Sequence, residues 1–282
     1  MQLVLSLFSG VGLLDKAFRE AGFCVVSAGD LITGQDIRDF TGVKNKFDGI
    51  IGGSPCQDFS TLKRVRGDYS LKMVYEFLRV VSECQPNWYL LENVKGVPNV
   101  TELLNNDVTH LDKIDVTVLH NYSHQRIDIN QGWYDDYSRL RHIQFGSKED
   151  LYLDIPRGIM GDIKSGCALA SDDRSFKELC HIQGLEDNYD LPDFNVKGKK
   201  RAVGNGVPLS MGRVIAQAVK NVTLLGINSV TNREDKSVTL QHEHSVTVQD
   251  RKRCACGCGR VVTGRRKTYD ATCRKRLSRK NI

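Results

Sequence analysis

Several features are missing from this chain of 282 residues, and each absence excludes something. No apolar run approaches the length of a bilayer span, which excludes a helical membrane protein. The first residues, Met-Gln-Leu-Val-Leu-Ser-Leu-Phe, carry no charged leader and meet a glycine-rich turn after Phe8, too soon for a signal peptide. Nine cysteines form an odd set without an evident pairing framework, so reduced thiols in a cytoplasm are expected rather than disulfides. No internal repeat is visible. Hydrophobic content of 40% and charged content of 26% are ordinary for a soluble globular chain, long enough for one substantial domain and a small appendage.

Acid is nearly absent from one region. Residues 251–282 hold twelve Lys or Arg and one acid, a charge of +11, whereas the whole chain carries +6, which leaves −5 for residues 1–250. A basic tail on a mildly acidic body points to a polyanion partner, most simply nucleic acid. A solubilising tail is the plainer alternative.

What is present alternates. Leu3 to Leu7 reads as a strand, and Ser9-Gly10-Val11-Gly12 turns it into a helix with Leu13, Leu14, Ala17, Phe18 and Ala21 at helical spacing. Phe23 to Val26, Phe47 to Ile51 and Trp88 to Leu91 read as further strands, and Leu71 to Val81 as a helix. Strand and helix alternate from residue 3 to about 120, which predicts an α/β fold with a parallel sheet covered on both faces. Arg141 to Gly146 reads as one more strand. Residues 147–172 have weak periodicity and several Gly, Pro and Asp, and read as an irregular insertion. Helical pattern returns at Phe176 to Ile182 and at Val207 to Val219. Residues 223–250 are mixed polar and read as a linker.

Three short segments carry chemistry. Gly-Gly-Ser-Pro-Cys-Gln-Asp-Phe-Ser, residues 52–60, places Cys56 on a tight loop at the end of an apolar strand. An α/β enzyme keeps a nucleophile in such a place; a buried cysteine in a turn is the structural alternative. The glycine loop Phe8-Ser9-Gly10-Val11-Gly12, followed about twenty residues later by Asp30, suits a nucleoside-bearing cofactor whose ribose hydroxyls a carboxylate would accept. Glu92, at the end of the Trp88 strand, faces the same crevice as Cys56, where a partly dry carboxyl can donate a proton. Arg139 and Arg141, two residues apart, point to one face of the sheet edge and could hold a base oxygen or a phosphate; taken alone, a surface ion pair is the plainer explanation.

In this order the residues resemble the cytosine-C5 DNA methyltransferase family. Leu7-Phe8-Ser9-Gly10-Val11-Gly12 is similar to its cofactor loop, Gly53-Ser54-Pro55-Cys56-Gln57 to its nucleophile loop and Glu92-Asn93-Val94 to its proton-donor motif. Ser138-Arg139-Leu140-Arg141, Gln183-Gly184 and Gly204-Asn205-Gly206-Val207-Pro208 follow. The resemblance covers about residues 1–220. It implies a Rossmann-like S-adenosylmethionine-dependent methyltransferase acting on double-stranded DNA, expected to work as a monomer in the cytoplasm of a prokaryotic or phage-infected cell, in restriction-modification or a related role. Residues 1–146 would be the catalytic and cofactor-binding core, 147–175 a short target-recognition region, 176–222 the rest of the core, 223–250 a linker and 251–282 the tail.

The mechanism implied has Cys56 attack cytosine C6, which makes C5 nucleophilic towards the methyl group of S-adenosylmethionine. Glu92 would hold N3 and the exocyclic amine, Arg139 would contact O2 or position Glu92, and Arg141 would support it. Such chemistry needs a flipped-out base. The resemblance places Phe8, Gly10 and Gly12 around the methionine part of the cofactor, Asp30 at the ribose, Asp36 and Ile37 near the adenine, and Asn205 and Val207 at the completing wall, with Val11 and Pro55 also binding the cofactor. Gln57 and Ser60, with Lys63, Arg64 and Arg66, would meet DNA. Two departures stand out. Tyr137 occupies the position where the family usually has a glutamine, and the recognition region is short, which suggests a compact or relaxed target.

The tail lies outside the resemblance. Cys254, Cys256, Cys258 and Cys273 suit a tetrahedral zinc site of zinc-finger-like type, which would supply the folding energy that so short a segment lacks. The Cys-x-Cys-x-Cys crowding also allows only two of the first three to ligate, with His242 or His244, or free thiols in a flexible arm. Arg265, Arg266 and Lys267 read as phosphate contacts. RNA methylation, a DNA-binding protein that has lost catalysis, and transfer of another group from an altered cofactor remain the alternatives.

Overall fold

The computed structural model describes residues 1–59, 67–106, 114–161, 163 and 165–231, all within the first of two units, Met1–Asp235. A six-stranded sheet runs through it in the order β2 (Cys24–Ala28), β1 (Leu3–Leu7), β3 (Gly49–Gly53), β4 (Trp88–Asn93), β7 (Leu140–Ser147), β5 (Ser123–Asn130). β1 pairs in parallel with both β2 and β3, and β3 with β4. The order therefore reverses at β1. In open α/β sheets that reversal opens a crevice beyond the carboxyl ends of the strands.

The strands are apolar on both faces because both are covered. Leu5, Ile50 and Leu91 face α2 (Tyr69–Cys84) with Val74, Phe77 and Leu78. Val4, Ile51 and Leu90 face the opposite side, with Phe18 of α1 (Leu13–Glu20) and Met211 and Ile215 of α7 (Leu209–Thr231). Each such side chain, once buried, stabilises the fold by roughly 1.5–3 kcal/mol. Gly49 and Gly52 give β3 its flat surface: a Cβ on Gly49 would meet the Trp88 ring at 2.2 Å, and one on Gly52 would meet Leu7 O at 2.7 Å.

Several elements differ from the sequence pattern. The sheet is mixed, because β7 lies antiparallel between β4 and β5. β5 was hidden by its polar sequence, Ser-His-Gln-Arg-Ile-Asp-Ile-Asn, which an edge strand with one open side tolerates. α6 (Val196–Asn205), rich in Lys and Gly, carries no clear apolar stripe. α7 starts after Pro208 and extends to Thr231, into the stretch read as linker. The shorter helices are α3 (Val100–Asn106), α4 (Val116–His120) and α5 (Phe176–Ile182). Among the described residues of 148–172 one strand occurs, β8 (Ser165–Gly166), paired with β6 (Tyr137–Ser138), and Leu153, Ile155 and Ala168 are buried.

Candidate active site

The loops after β1, β3 and β4 meet at the switch point and enclose one pocket. The β1 loop is left-handed at Phe8 (φ 54°), Gly10 (φ 56°) and Gly12 (φ 76°). For a phenylalanine that conformation costs roughly 1 kcal/mol or more and persists only where surroundings hold it. Here Phe8 packs on the α2-side core. Gly10 donates its N–H to Asp30 Oδ2 at 2.7 Å, and Asp30 Oδ1 accepts from Ile32 N at 2.7 Å. Asp30 thus ties the end of β2 to the β1 loop, and each carboxylate oxygen keeps a lone pair. A Cβ on Gly10 would meet nothing within 4 Å, so the loop leaves an open cradle beside that carboxylate.

Phe8, Gly10, Val11, Asp30, Asp36, Ile37, Pro55, Asn205 and Val207 all line the pocket. Gly12 does not: it is the N-cap of α1 and its amide closes a turn onto Ser9 O at 2.8 Å. The exposed Arg38 grips the half-buried Asp36 and holds its carboxyl down at about 2. Buried Arg79 of α2 donates to Ile37 O at 2.8 Å and steadies that wall. The far wall is fixed by Gln183, whose Nε2 donates to Val203 O (2.6 Å) and Gly206 O (3.0 Å). Gly206 abuts Leu13 so closely that a Cβ there would lie 2.4 Å from Leu13 Cδ1.

Cys56, Gln57, Glu92, Arg139 and Arg141 line the other end of the same pocket. Cys56 is partly buried on the turn after β3. Burial pushes its thiol upward, Glu92 adds to the rise, and Arg141 and Arg139 oppose it. Glu92 is buried, and burial raises its carboxyl against the pull of Arg141 and Arg139. A Cβ on Gly53 would sit 3.0 Å from Glu92 Oε2, so the glycine makes room for the carboxyl. Asn93, next in β4, donates to Ser54 O (3.1 Å) and Ser54 Oγ (2.9 Å), joining the β3 and β4 loops.

Of the two arginines, Arg141 pairs with Glu92: its Nε lies 2.7 Å from Glu92 Oε1. The register explains this. Ile143 stands opposite Glu92, so Arg141, two residues along, shares that face. Arg139 lies beyond the end of β7, buried. It donates to Ala168 O and, at 2.9 Å, to Gly204 O, joining the segment around Ala168 to α6. Burial and Arg141 draw its guanidinium down to about 10.

Cys56, Glu92, Arg139 and Arg141 thus share one pocket with the open Gly10 cradle. The profile of the C-5 cytosine-specific DNA methylase family matches residues 28–122. Over that third of its length the chain is similar to the cytosine-C5 methyltransferase family. It is 38% identical over 112 residues to the type II methyltransferase M.FnuDI of Fusobacterium nucleatum, a match spanning 33% of each chain. With M.AquIA of Picosynechococcus it shares 37% over 123 residues, 34% of this chain and 50% of that one. An orphan methyltransferase of Bacillus phage SPR is 30% identical over 118 residues. The chain thus matches about a third of the length of M.FnuDI. Among solved structures, S. pombe Dnmt2 methyltransferase superposes with a TM-score of 0.54 at 13% identity, over 81% of this chain and all of that one. A prophage-encoded E. coli protein, assigned as a DNA modification methyltransferase, gives 0.59 at 19%, over 79% of this chain and all of that one. These two establish the shared fold.

Within this methyltransferase fold, Tyr137 turns towards α5, edge-on to His181 with ring centroids 6.3 Å apart, and joins the small core around Leu179 and Ile182. Sequence reasoning missed Asp15, Tyr69 and Met73, which also line the pocket. Tyr69 and Met73 at i and i+4 of a helix were a usable signal. Asp15, buried and accepting the Ser6 hydroxyl at 2.5 Å and that of Ser27 at 2.6 Å, gave none, since its partners come from two strands. Ser60, Lys63, Arg64 and Arg66 lie outside the described residues, as do Cys254, Cys256, Cys258, Arg265, Arg266, Lys267 and Cys273. Among the described residues no cluster of three metal-ligating side chains occurs, and no helix is long and apolar enough to cross a membrane.

Proposed function

We propose that this chain methylates C5 of cytosine in double-stranded DNA. The observation that carries the reading is the convergence of Cys56, Glu92 and Arg141 on one pocket, with Glu92 buried and paired to Arg141. Cys56, as thiolate, attacks C6 of the flipped base, and the electrons of the C5–C6 double bond move towards C5. Glu92 supplies a proton at N3, which neutralises the charge that would otherwise build on the ring. Arg141 fixes the carboxyl in place for that transfer. Arg139 holds the wall of the pocket through Ala168 and Gly204. S-adenosylmethionine, when bound, supplies the electrophilic methyl group. Its nucleoside fits the wall made by the Gly10 cradle, the free lone pairs of Asp30 and the apolar Phe8 and Ile37. After transfer, loss of the C5 proton to solvent base expels the Cys56 thiolate, and N3 returns its proton to Glu92.

The finer parts of this reading are the small inserted recognition region, the tail as a phosphate-binding arm with structural zinc on its cysteines, monomeric action, and a cytoplasmic setting. The bacterial and phage origin of its relatives supports the last. The test is base-resolution sequencing of modified cytosines in DNA from a methylation-deficient host expressing the protein, beside Cys56→Ala. Modified cytosines in a fixed context, absent with Cys56→Ala, are expected. An unmodified genome from folded protein would overturn the DNA assignment and direct the same assay to RNA.

A further inference from the structure

Asp58 lies two residues after Cys56, is buried, and does not line the pocket. Its contacts run in both directions. The Asp58 amide donates to Ser70 Oγ at 3.0 Å. The Asp58 carboxylate accepts from Ser70 N at 2.9 Å through Oδ2 and from Gly67 N at 3.0 Å through Oδ1. Ser70 is the second residue of α2, so a carboxylate from a distant turn serves as the N-terminal cap of a 16-residue helix. The local candidate for that task, Asp68, makes no capping bond, and its carboxylate meets Lys72 at 2.8 Å. A negative charge at this helix end also meets the favourable end of the helix dipole.

The same residue sits inside the turn that presents the thiol. Phe59 N donates to Cys56 O at 3.0 Å, closing the turn Cys56–Phe59 around Asp58. Phe59 O rests on Gly96, where a Cβ would come within 2.5 Å. On the other side of Cys56, Ser54 is held by Asn93. The turn is therefore pinned to β4 before the cysteine and to α2 after it. The start of α2 in turn supplies Tyr69 and Met73 to the pocket wall.

We propose that Asp58 is a positioning residue, which locks the nucleophile turn onto the N-terminus of α2 and so sets the Cys56 thiol against Glu92, Arg139 and Arg141. It acts through the backbone and touches no reacting atom. The proposal deepens the methyl-transfer reading, but its main test does not depend on that reading.

The experiment measures the rate of Cys56 alkylation by iodoacetamide against pH, site by site by mass spectrometry, in the full chain. The variants are Asp58→Asn, Asp58→Ala and Ser70→Ala. Thr223→Ala, which loses a buried hydroxyl bond to Val219 O far along α7, serves as a destabilised control. Loss of the lock frees the thiol from its buried seat. Alkylation of Cys56 near pH 8 is then expected to rise by about threefold or more in Asp58→Ala, with its midpoint shifted down. Asp58→Asn keeps one acceptor and should fall between, while Thr223→Ala should leave the Cys56 profile unchanged. Where Asp58→Ala folds poorly, Asp58→Asn and Ser70→Ala carry the test. A second arm reads turnover: kcat should fall with little change in the KM for DNA. If the Asp58 variants melt earlier yet show the native Cys56 profile, Asp58 is a helix cap only and the proposal is overturned. If every protein, native included, lacks methyl transfer, the functional reading fails while the alkylation profiles still decide the role of Asp58.

Discussion

At the scale of the residue, the site depends on a carboxyl that burial keeps reluctant to ionise. The raised carboxyl of Glu92 has a consequence for stability. In the unfolded chain it ionises near 4.5, and in the folded chain only at higher pH, so the stability it contributes is complete below that value and is lost as pH rises through the folded one. Glu92→Gln mimics the protonated form and keeps the company of Arg141. Its melting temperature should equal that of the native protein at the acid end and exceed it increasingly above about pH 4.5. Parallel melting curves across pH would refute the buried-carboxyl assignment. The same variant separates the two limbs of activity. In the proposed reaction Cys56 loses its proton while Glu92 retains one, so the pH profile should be bell-shaped, and Glu92→Gln should lower kcat sharply and remove the alkaline limb.

At the scale of the element, the strand ends and helix starts hold the pocket by a few backbone-directed bonds. Gln183, from the turn after α5, satisfies carbonyls at the end of α6 and in the following loop. Gln183→Ala leaves two acceptors unserved and should destabilise by about 1–3 kcal/mol in denaturant titration. Because Asn205 and Val207 line the cofactor wall, it should also weaken S-adenosylmethionine binding by about tenfold, a loss of about 1.4 kcal/mol, measurable by calorimetry. Gly49→Ala forces a Cβ into the Trp88 ring and should cost about 1–3 kcal/mol, with the site chemistry untouched in the fraction that folds. β1, β3, β4, α1, α2 and α5 were legible in the sequence because their apolar periodicity is unbroken. β5 and α6 were not, since an open edge strand and a lysine-rich helix bury too little to show a period.

At the scale of the whole molecule, the charge is divided as the chain is: the basic residues of 251–282 fall outside Met1–Asp235. A chain ending at Asp235 is expected to retain its fold and its cofactor binding but to lose DNA affinity. The log–log salt dependence of its binding should be shallower by roughly 0.9 for each phosphate contact removed, readable by anisotropy over a salt series. An unchanged slope would mean that the tail does not track the backbone.

The sequence by itself determined the order of the chemistry along the chain: a glycine loop after the first strand, a cysteine after the third and a glutamate after the fourth. Those are local properties, set by where an apolar run stops and a turn begins. It also determined that the three would share a crevice, because parallel strands end on the same side. Tertiary structure decided which side chain serves which. The pairing of β7 against β4, with Ile143 opposite Glu92, gave Glu92 to Arg141, while Arg139 reached Ala168 and Gly204. The closeness of a distant turn to the start of α2 made Asp58 a cap, and two neighbouring strands supplied the partners of Asp15. Such assignments depend on register and on contacts between residues far apart in the chain, which no spacing within one segment records.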